Sequence, residues 1–353
     1  MFCFKNWMRR LARALLICLV VSLLACSHYR NYDVTDHYNG SKFFNPDGPK
    51  AQSIWQILGL IFTLKLDTWP ESVEIRPSLK LEKPLSKTEL AITFVGHSTV
   101  LLQFPGLNIL TDPVWVERIG PGGRWGPKRV RKPGIELDAL PKIDVILLSH
   151  NHYDHMYLES VKVISDRFTP LVLVPLGDQS LLESAGIRNV TEVDWWQSLT
   201  TPARAGELLK ITFTPAQHNS GRGLFDEDKS LWGNFMLTRA GKTIYFGGDS
   251  AYSKNYLEIK RRLGAPDLAL LPIGAYEPQV SMKCVHMNPE EAVRAHQDLA
   301  AKRSIGIHIG TFQQTEEPID QPLRDLKKAK SAYGIRDDQF FTLDEGVTTF
   351  IEL

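Results

Sequence analysis

Short apolar runs rich in β-branched residues recur along the chain from residue 90 onward, and segments with helical spacing of apolar positions separate several of them. Each run is four to eight residues long and is bounded by glycine, proline or polar residues, which is typical of β-strands. Predicted strands cover residues 91–95, 100–104, 107–111, 143–148, 171–174, 190–193, 208–215, 232–237, 243–246, 268–272 and 304–308. Predicted helices cover residues 156–168, 178–185 and 288–301. This alternation without a repeat predicts a layered α/β domain over residues 89–353.

A dense cluster of polar side chains follows the predicted strand 143–148, which the pattern indicates is buried on both faces. The cluster is Ser149-His150-Asn151-His152-Tyr153-Asp154-His155. In an extended chain His150 and His152 point to the same side, so their imidazoles can share one cation. Asp154 and His155 lie where the chain turns and suit a second cation better. The alternative is a chance grouping of ligand-type residues on a solvated loop, although imidazole and carboxylate are the ligands that zinc prefers.

Three further candidate ligands also stand directly after predicted strands. His218 follows the strand that ends near residue 215, Asp249 follows strand 243–246, and His308 ends strand 304–308. Functional side chains in α/β folds lie on the loops at strand ends, so one edge of a sheet is expected to gather all of these residues. His97 lies between the first two strands, and we interpret it as a structural histidine or as a support for the metal ligands.

The N-terminus has the pattern of an export signal. Four basic residues between positions 5 and 13 precede an apolar run at 14–25, which is too short for a membrane span of about 20 residues. The segment Leu23-Leu24-Ala25-Cys26 resembles a bacterial lipoprotein signal, which implies cleavage after residue 25 and a lipid on Cys26. Ser27 in place of aspartate favours an outer-membrane lipoprotein that faces the periplasm and is anchored through its N-terminus. An uncleaved N-terminal anchor is the alternative.

Residues 26–88 are predicted to connect this signal to the folded domain. Residues 27–50 are polar and read as a tether, whereas 54–66 form an apolar stretch that we predict is a helix. The helix is expected to dock on the domain, or alternatively to face lipid. After removal of residues 1–25 and acylation of Cys26, Cys284 remains as the one free thiol in the sequence, so no disulfide framework is expected.

Composition excludes some classes of function. The chain has 353 residues, 43% of them hydrophobic, and a formal net charge of +1. The hydrophobic fraction suffices for a large core, and the balanced charge gives no electrostatic basis for binding nucleic acid. No histidine is followed two positions later by lysine, so the H-x-K-x-x-x-x-D chemistry of the covalent phospholipases D is excluded.

The order H-x-H-x-D-H, isolated His, Asp after a glycine-rich strand end and late His resembles the metallo-β-lactamase superfamily over about residues 90–353. That resemblance implies a four-layer αββα sandwich. Several separated motifs are similar to the N-acylphosphatidylethanolamine-hydrolysing phospholipase D group. These motifs are Thr111-Asp112-Pro113, Gly126-Pro127-Lys128-Arg129, Asp194-Trp195-Trp196, Leu231-Trp232-Gly233, the segments 272–278 and 289–292, and Ile307-His308-Ile309-Gly310-Thr311-Phe312.

The resemblance implies a site with two zinc ions and a phospholipid substrate. One zinc would be held by His150, His152, His218 and Asp249. The other would be held by Asp154, His155, His308 and the shared Asp249. Asp154 and Asp249 would also orient the attacking water as catalytic residues. Tyr153 and His286 match positions that contact the phospholipid, and a homodimer is a further expectation.

The implied activity is hydrolysis of N-acylphosphatidylethanolamine to N-acylethanolamine and phosphatidic acid. Ile309 and Asn219 stand where aromatic residues are expected beside His308 and His218. These two differences change the predicted shape of the acyl pocket, so the sequence does not determine the exact substrate. Alternatives are another hydrolase of the same fold, acting on a lactone, a β-lactam or a different phosphodiester, and a non-catalytic zinc-binding envelope lipoprotein. A complete two-metal ligand set argues against the last, since one closed four-ligand site suffices for structure.

Overall fold

A computed structural model of the protein describes residues 32–49, 69–75, 85–86, 89–202 and 207–352. The predicted signal segment 1–25, Cys26 and the predicted apolar helix 54–66 lie outside these residues. Within the described ranges, none of the helices combines the length and the hydropathy that crossing a bilayer requires.

The described residues form fourteen strands and six α-helices. The strands are β1 (Glu89–Gly96), β2 (Thr99–Phe104), β3 (Leu107–Thr111), β4 (Val145–Leu147), β5 (Leu171–Pro175), β6 (Val190–Val193), β7 (Ser198–Pro202), β8 (Leu208–Thr214), β9 (Asn234–Arg239), β10 (Lys242–Phe246), β11 (Leu268–Pro272), β12 (Arg303–Ile307), β13 (Phe340–Thr342) and β14 (Thr348–Glu352). The helices are α1 (Leu158–Phe168), α2 (Gln179–Ser184), α3 (Asn255–Leu263), α4 (Gln279–Met282), α5 (Pro289–Leu299) and α6 (Gln321–Tyr333), with short 3₁₀ turns at Pro121–Gly123 and Leu137–Ala139.

Two sheets of seven strands each contain all of these strands. The first has the order β14-β1-β2-β3-β4-β5-β6, and the second has the order β13-β12-β11-β10-β9-β8-β7. In each sheet the three pairings from one end are antiparallel and the three from the other end are parallel. The predicted hairpin of β2 and β3 around Pro105-Gly106 is present, with Phe104 opposite Leu107.

Alternation along the strands produces four layers. Leu101 and Ile146 pack with Val161 and Ile164 of α1, on the outer face of the first sheet. Their neighbours in sequence, such as Leu102, point to the opposite face and join the core between the sheets. The second sheet and its covering helices contribute to that core Phe213, Phe235, Leu237, Tyr256, Ile259, Val293 and Leu326. The order is helix, sheet, sheet, helix, which confirms the predicted αββα sandwich.

The start of α5 shows why a predicted element forms where it does. The Asn288 side chain accepts a hydrogen bond from the backbone N–H of Glu291 at 2.9 Å, and the Glu291 carboxylate accepts one from the backbone N–H of Asn288 at 3.1 Å. Pro289 occupies the first turn, where its missing N–H costs nothing. The helix ends at Leu299, two residues before the predicted end.

Residues 32–49 differ from the polar tether that the sequence predicts for residues 27–50. This docked segment packs on the domain through Tyr38 and Phe43, which are 6% and 1% exposed and belong to the main core. The backbone N–H of Phe43 donates to Asp228 O at 2.8 Å. The tether prediction is therefore wrong over these residues, because a few widely spaced aromatic side chains anchor the segment without a periodic apolar pattern.

Candidate metal centre

The loop after β4 carries the first four candidate ligands, and it is fixed at its start. The backbone N–H of Ser149 donates to Asp112 Oδ1 at 2.8 Å, and the N–H of Gly233 donates to Ser149 O at 3.0 Å. Gly248 lies so close that a β-carbon there would be 2.3 Å from Ser149 Cβ. Only glycine permits this approach, which brings the loop with Asp249 against the loop with His150.

Three imidazoles form the first group of donors. His150 Nε2 lies 2.8 Å from His152 Nδ1, and His218 Nε2 lies 3.3 Å from the same nitrogen. His150 and His218 are 1% exposed and His152 is half-buried. Three nitrogens that face one another at these distances surround a space that a small cation can occupy.

Asp154, His155 and His308 form the second group. Asp154 Oδ2 lies 3.4 Å from His155 Nε2 and 3.5 Å from His308 Nε2. His97 joins this group, with Nε2 2.9 Å from Asp154 Oδ2 and its ring centroid 4.0 Å from that of His308. The position of His97 favours the predicted support of the ligands over a purely structural role. The Gln314 amide also donates to Asp154 Oδ2 at 2.9 Å, and nothing in the sequence pattern predicts that contact.

The Asp249 carboxylate lies between the two groups. Its Oδ2 is 3.1 Å from His155 Nε2, 3.2 Å from His308 Nε2 and 3.9 Å from His218 Nε2. The side chain is 3% exposed. The structure thus brings together all seven residues that the sequence predicts as metal ligands, with Asp249 central among them.

The ligands come from both sheets, which differs from the single sheet edge that the sequence predicts. His150 follows β4 of the first sheet, whereas His218, Asp249 and His308 follow β8, β10 and β12 of the second. The strand ends that carry ligands lie on the same side of the sandwich in both sheets. The loops that follow β4, β8, β10 and β12 therefore meet there. Position relative to a strand end can be read from the sequence, but membership of one sheet or the other cannot.

Neighbouring groups orient the imidazoles. Ser149 Oγ donates to Asp112 Oδ2 at 2.7 Å and therefore accepts from His150 Nδ1 at 2.9 Å. His155 Nδ1 donates to the same Asp112 oxygen at 2.6 Å, and His218 Nδ1 donates to Val285 O at 2.8 Å. Each ring then presents Nε2 to the centre, which is the usual arrangement around metal-ligating histidines. Asp112 is 0% exposed, and the one sequence signal for it is its place in the motif Thr111-Asp112-Pro113.

Several buried polar atoms at the centre make no hydrogen bond within the part of the chain that the structure describes. They include His155 Nε2, His308 Nε2 and Asp249 Oδ1. Leaving such atoms unsatisfied costs roughly 1–3 kcal/mol each. The donors are nitrogen and carboxylate oxygen, which suit zinc and related divalent cations. The site therefore fits a metal better than it fits a closed network of hydrogen bonds.

Residues 107–309 match the protein family described as the beta-lactamase superfamily domain, which is more than half of the chain. The chain belongs to the beta-lactamase superfamily. N-acyl-phosphatidylethanolamine-hydrolyzing phospholipase D 1 of Caenorhabditis elegans is 38% identical over 271 residues, which are 74% of this chain and 76% of that relative. The mitochondrial N-acyl-phosphatidylethanolamine-hydrolyzing phospholipase D of Saccharomyces cerevisiae is 39% identical over 264 residues, which are 74% of this chain and 56% of the yeast protein.

A solved structure of another protein shares the fold. Igni18, a metallo hydrolase from Ignicoccus hospitalis, superposes with a TM-score of 0.58 at 22% identity and covers 75% of this chain and 100% of its own. The predicted family and fold are thereby confirmed, and the chain is a metal-dependent hydrolase with a His and Asp cluster able to bind metal.

Charge in this superfamily member is arranged for cation binding. Burial lowers the pKa of His150 well below its usual range and that of His152 to about 3, so both rings are neutral. Burial opposes ionisation of Asp249, but His155 and His308 lower its pKa well below the usual range. In turn Asp249 and Asp154 raise the pKa of His308 to about 9, although burial lowers it. A divalent cation takes the place of such protons when it binds.

The two predicted substrate contacts border this centre. His286 Nδ1 lies 3.8 Å from Asp249 Oδ2, and its ring centroid is 5.3 Å from that of His218. The Arg222 guanidinium lies over the Tyr153 ring, with its central carbon Cζ 3.9 Å from the ring centroid. Arg222 also donates to Asn151 O and Met156 O, both at 2.7 Å, so it closes the ligand loop on itself.

Asp178 supports the ligand loop and gives a prediction on pH. It accepts from the Asn151 amide at 3.0 Å, and burial raises the pKa of its carboxyl to about 7. Because the folded-state pKa is raised, the cost of ionising Asp178 is absent below about pH 4 and complete above about pH 7. Replacement of Asp178 by asparagine is therefore expected to stabilise the protein at pH 8, by at most roughly 4 kcal/mol, and not at pH 4.

Urea unfolding of Asp178→Asn and of the unmodified protein across this pH range measures the effect. Asp138→Asn, at an exposed position, is the control and should show no such trend. A difference between Asp178→Asn and the unmodified protein that is constant with pH would contradict the prediction.

Proposed function

We propose that this chain cleaves the phosphodiester of N-acylphosphatidylethanolamine in the manner of a phospholipase D, with two zinc ions, and releases N-acylethanolamine and phosphatidic acid. The observation that carries the proposal is Asp249, whose carboxylate lies within 3.9 Å of donors from both ligand groups. A carboxylate in this position can contact one cation in each ligand group, which suits a two-metal centre. The names of the relatives from Caenorhabditis elegans and Saccharomyces cerevisiae support the substrate.

Each ligand group would hold one cation. His150, His152, His218 and Asp249 would hold the first, and Asp154, His155, His308 and Asp249 the second. Two divalent cations there would supply a water of lowered pKa and positive charge toward the phosphoryl oxygens.

The surrounding side chains prepare the two carboxylates for this role. His97 and Gln314 both contact Asp154 Oδ2 at 2.9 Å and hold that carboxylate in one orientation. The remaining Asp154 and Asp249 lone pairs can orient the attacking water for in-line approach to phosphorus. His286 lies beside Asp249, where it can hydrogen-bond a phosphodiester oxygen, and the half-buried Tyr153 lies between the ligands His152 and Asp154 in the chain, where it can contact the lipid.

Exposed apolar side chains near the centre support a substrate within a membrane. Trp125 is 72% exposed, and Phe225 is 55% exposed. Trp125 lies on the same loop as Gly123, which packs against the side chain of Tyr157: a β-carbon at Gly123 would be 2.5 Å from Tyr157 Oη. Tyr157 is two residues beyond the ligand His155. Phe225 follows Arg222, which covers Tyr153. Tryptophan and phenylalanine exposed beside an active site are suited to insertion at a lipid–water interface.

Replacement of both Trp125 and Phe225 by serine is expected to lower turnover of lipid in vesicles by about tenfold or more, since each aromatic ring contributes roughly 1.5–3 kcal/mol on burial. Hydrolysis of a soluble chromogenic phosphodiester should stay within twofold, because neither side chain belongs to a ligand group. Leu257→Ser, at a site on α3 that is 53% exposed, serves as the control. Equal loss on both substrates would contradict a role at the interface.

The substrate assignment is tested with purified protein loaded with zinc. Three substrates are compared: N-acylphosphatidylethanolamine in vesicles, an acyl-homoserine lactone and a chromogenic phosphodiester. The proposal requires phosphatidic acid and N-acylethanolamine in equal amounts from the first. Lactone hydrolysis without phosphodiester hydrolysis would overturn it in favour of a lactonase, and zinc binding without any turnover would favour a structural lipoprotein.

We also propose that the chain is anchored at the outer membrane by a lipid on Cys26 and faces the periplasm. The support is the basic and apolar pattern before Cys26. Mass spectrometry of the mature N-terminal peptide tests it: an acylated cysteine at the first position is the expected result. An intact segment 1–25 on the mature protein would overturn cleavage and leave an uncleaved anchor.

A further inference from the structure

The docked segment, residues 32–49, reaches the candidate metal centre at its C-terminal end. The Asn45 amide donates to the backbone oxygen of the ligand His218 at 2.7 Å. The Trp232 indole N–H donates to Asn45 Oδ1 at 3.1 Å. A carbonyl can only accept and an indole can only donate, so these two partners fix the orientation of the amide. His218 and Trp232 are each 1% exposed, which places both hydrogen bonds against buried groups.

A second contact joins the docked segment to the residue before His218. The Gln217 amide donates to Pro49 O at 2.9 Å and to Cys284 O at 3.3 Å. A β-carbon on Gly48 would lie 1.7 Å from Gln217 Oε1, so a side chain at position 48 must displace the glutamine. Gln217 is 3% exposed.

The main chain of Gln217 extends this contact toward Asp249. Its N–H donates to Ser250 Oγ at 3.1 Å, and the N–H of Ala251 donates to Gln217 O at 2.8 Å. Both partners directly follow Asp249 in the chain. The docked segment therefore bears on the backbone beside two ligands, His218 and Asp249, through one glutamine.

The aromatic part of the docked segment makes this geometry stable. The His37 ring stacks on Trp195 with centroids 4.5 Å apart, and its Nε2 lies 2.8 Å from Asp194 Oδ1. Phe43 is buried in the main core. His37 and Phe43 lie outside residues 107–309, which match the superfamily. The metal centre therefore contacts a part of the chain that precedes the matched domain.

We propose that Asn45 is a positioning residue for the metal centre, and that the docked segment through Asn45 keeps His218 aligned with His150 and His152. The His218 ring is held by Val285 O, but its main chain is held by Asn45. Loss of the amide leaves a buried carbonyl without this donor and frees the residue to shift. The affinity for the cation held by the three histidines then falls, whereas the affinity for the cation held by Asp154, His155 and His308 is unchanged. The inference rests on the two-metal centre of the proposed function but not on its substrate, because metal retention is measured without turnover.

The test measures zinc release from the full-length protein by a colorimetric chelator, which needs no substrate. Asn45→Ala is expected to release one of its zinc ions at a chelator concentration 10- to 100-fold lower than the unmodified protein does, as changes beside metal ligands typically do. The other zinc should be released as before. Gly48→Ala, which displaces the Gln217 side chain, should also lower the chelator concentration at which the zinc held by His150, His152 and His218 is released.

Asn39→Ala is the matched control, since Asn39 lies in the same segment and its side-chain oxygen accepts from the N–H groups of Ser41 and Lys42 at 2.9 Å, within the segment itself. Its zinc release should equal that of the unmodified protein. Unchanged release from Asn45→Ala would overturn the proposal. Equal loss of both ions, or the same loss from Asn39→Ala with a lowered melting temperature, would also overturn it, since that pattern reports general unfolding.

Discussion

Replacement of Asp249 by asparagine is expected to lower hydrolysis of the phosphodiester by roughly 10³-fold or more. The carboxylate lies 3.1 Å from His155 Nε2 and 3.2 Å from His308 Nε2, and asparagine retains its shape while removing its charge. A metal centre supplies several kcal/mol of transition-state stabilisation, and each 1.36 kcal/mol corresponds to tenfold in rate. The variant should also retain one zinc per chain after dialysis, where the unmodified protein retains two.

Turnover and zinc content of the same preparation measure both consequences of Asp249→Asn. Asp298→Asn is the control, because Asp298 is a half-buried carboxylate on α5 that accepts from Tyr252 Oη at 2.6 Å and belongs to neither ligand group. That variant should retain activity within twofold. Full zinc content together with near-normal turnover in Asp249→Asn would contradict the bridging role.

Replacement of Asp112 by alanine is expected to destabilise the protein by about 3–5 kcal/mol, which is the cost of removing one partner from a buried ionic contact. Asp112 is 0% exposed, and it receives the N–H and hydroxyl of Ser149 and Nδ1 of His155 at 2.6–2.8 Å. Without it, three buried donors lose their acceptor and two ligand rings lose their orientation. Zinc affinity should fall by 10- to 100-fold as well.

Urea unfolding of metal-free Asp112→Ala separates the stability effect from the metal effect, and chelator competition then measures zinc affinity. Asp138→Ala removes an exposed carboxylate and should change stability by less than about 0.5 kcal/mol. If Asp112→Ala unfolds at the same urea concentration as Asp138→Ala and holds zinc equally well, Asp112 does not support the ligands.

The central strands could be predicted from the sequence with precision. β3 and β11 have the predicted bounds, Leu107–Thr111 and Leu268–Pro272. Strands such as β11 are buried along their whole length, so they appear as continuous apolar runs. The edge strand β7, Ser198–Pro202, escapes the pattern because it pairs only with β8 and alternates between exposed and half-buried positions. Edge strands β13 and β14 and the helices α3, α4 and α6 are likewise absent from the prediction.

The ligands could be predicted because their chemistry and their place after strands are both local properties of the chain. Their supports could not. Asn45 lies 173 residues from His218 and Gln314 lies 160 residues from Asp154, and neither position stands in a recognisable motif. Asn and Gln side chains are common on surfaces, so only the folded arrangement distinguishes these two. The docked segment escapes prediction for the same reason, since Tyr38 and Phe43 meet the core only after the sandwich forms.

A crystal structure of the zinc-loaded protein, with anomalous differences recorded on both sides of the zinc absorption edge, tests the two-metal centre most directly. Two zinc peaks about 3.5–4 Å apart are the expected result. One should contact His150, His152 and His218, the other Asp154, His155 and His308, and both should contact Asp249. A single peak, or two peaks of which only one contacts Asp249, would contradict it.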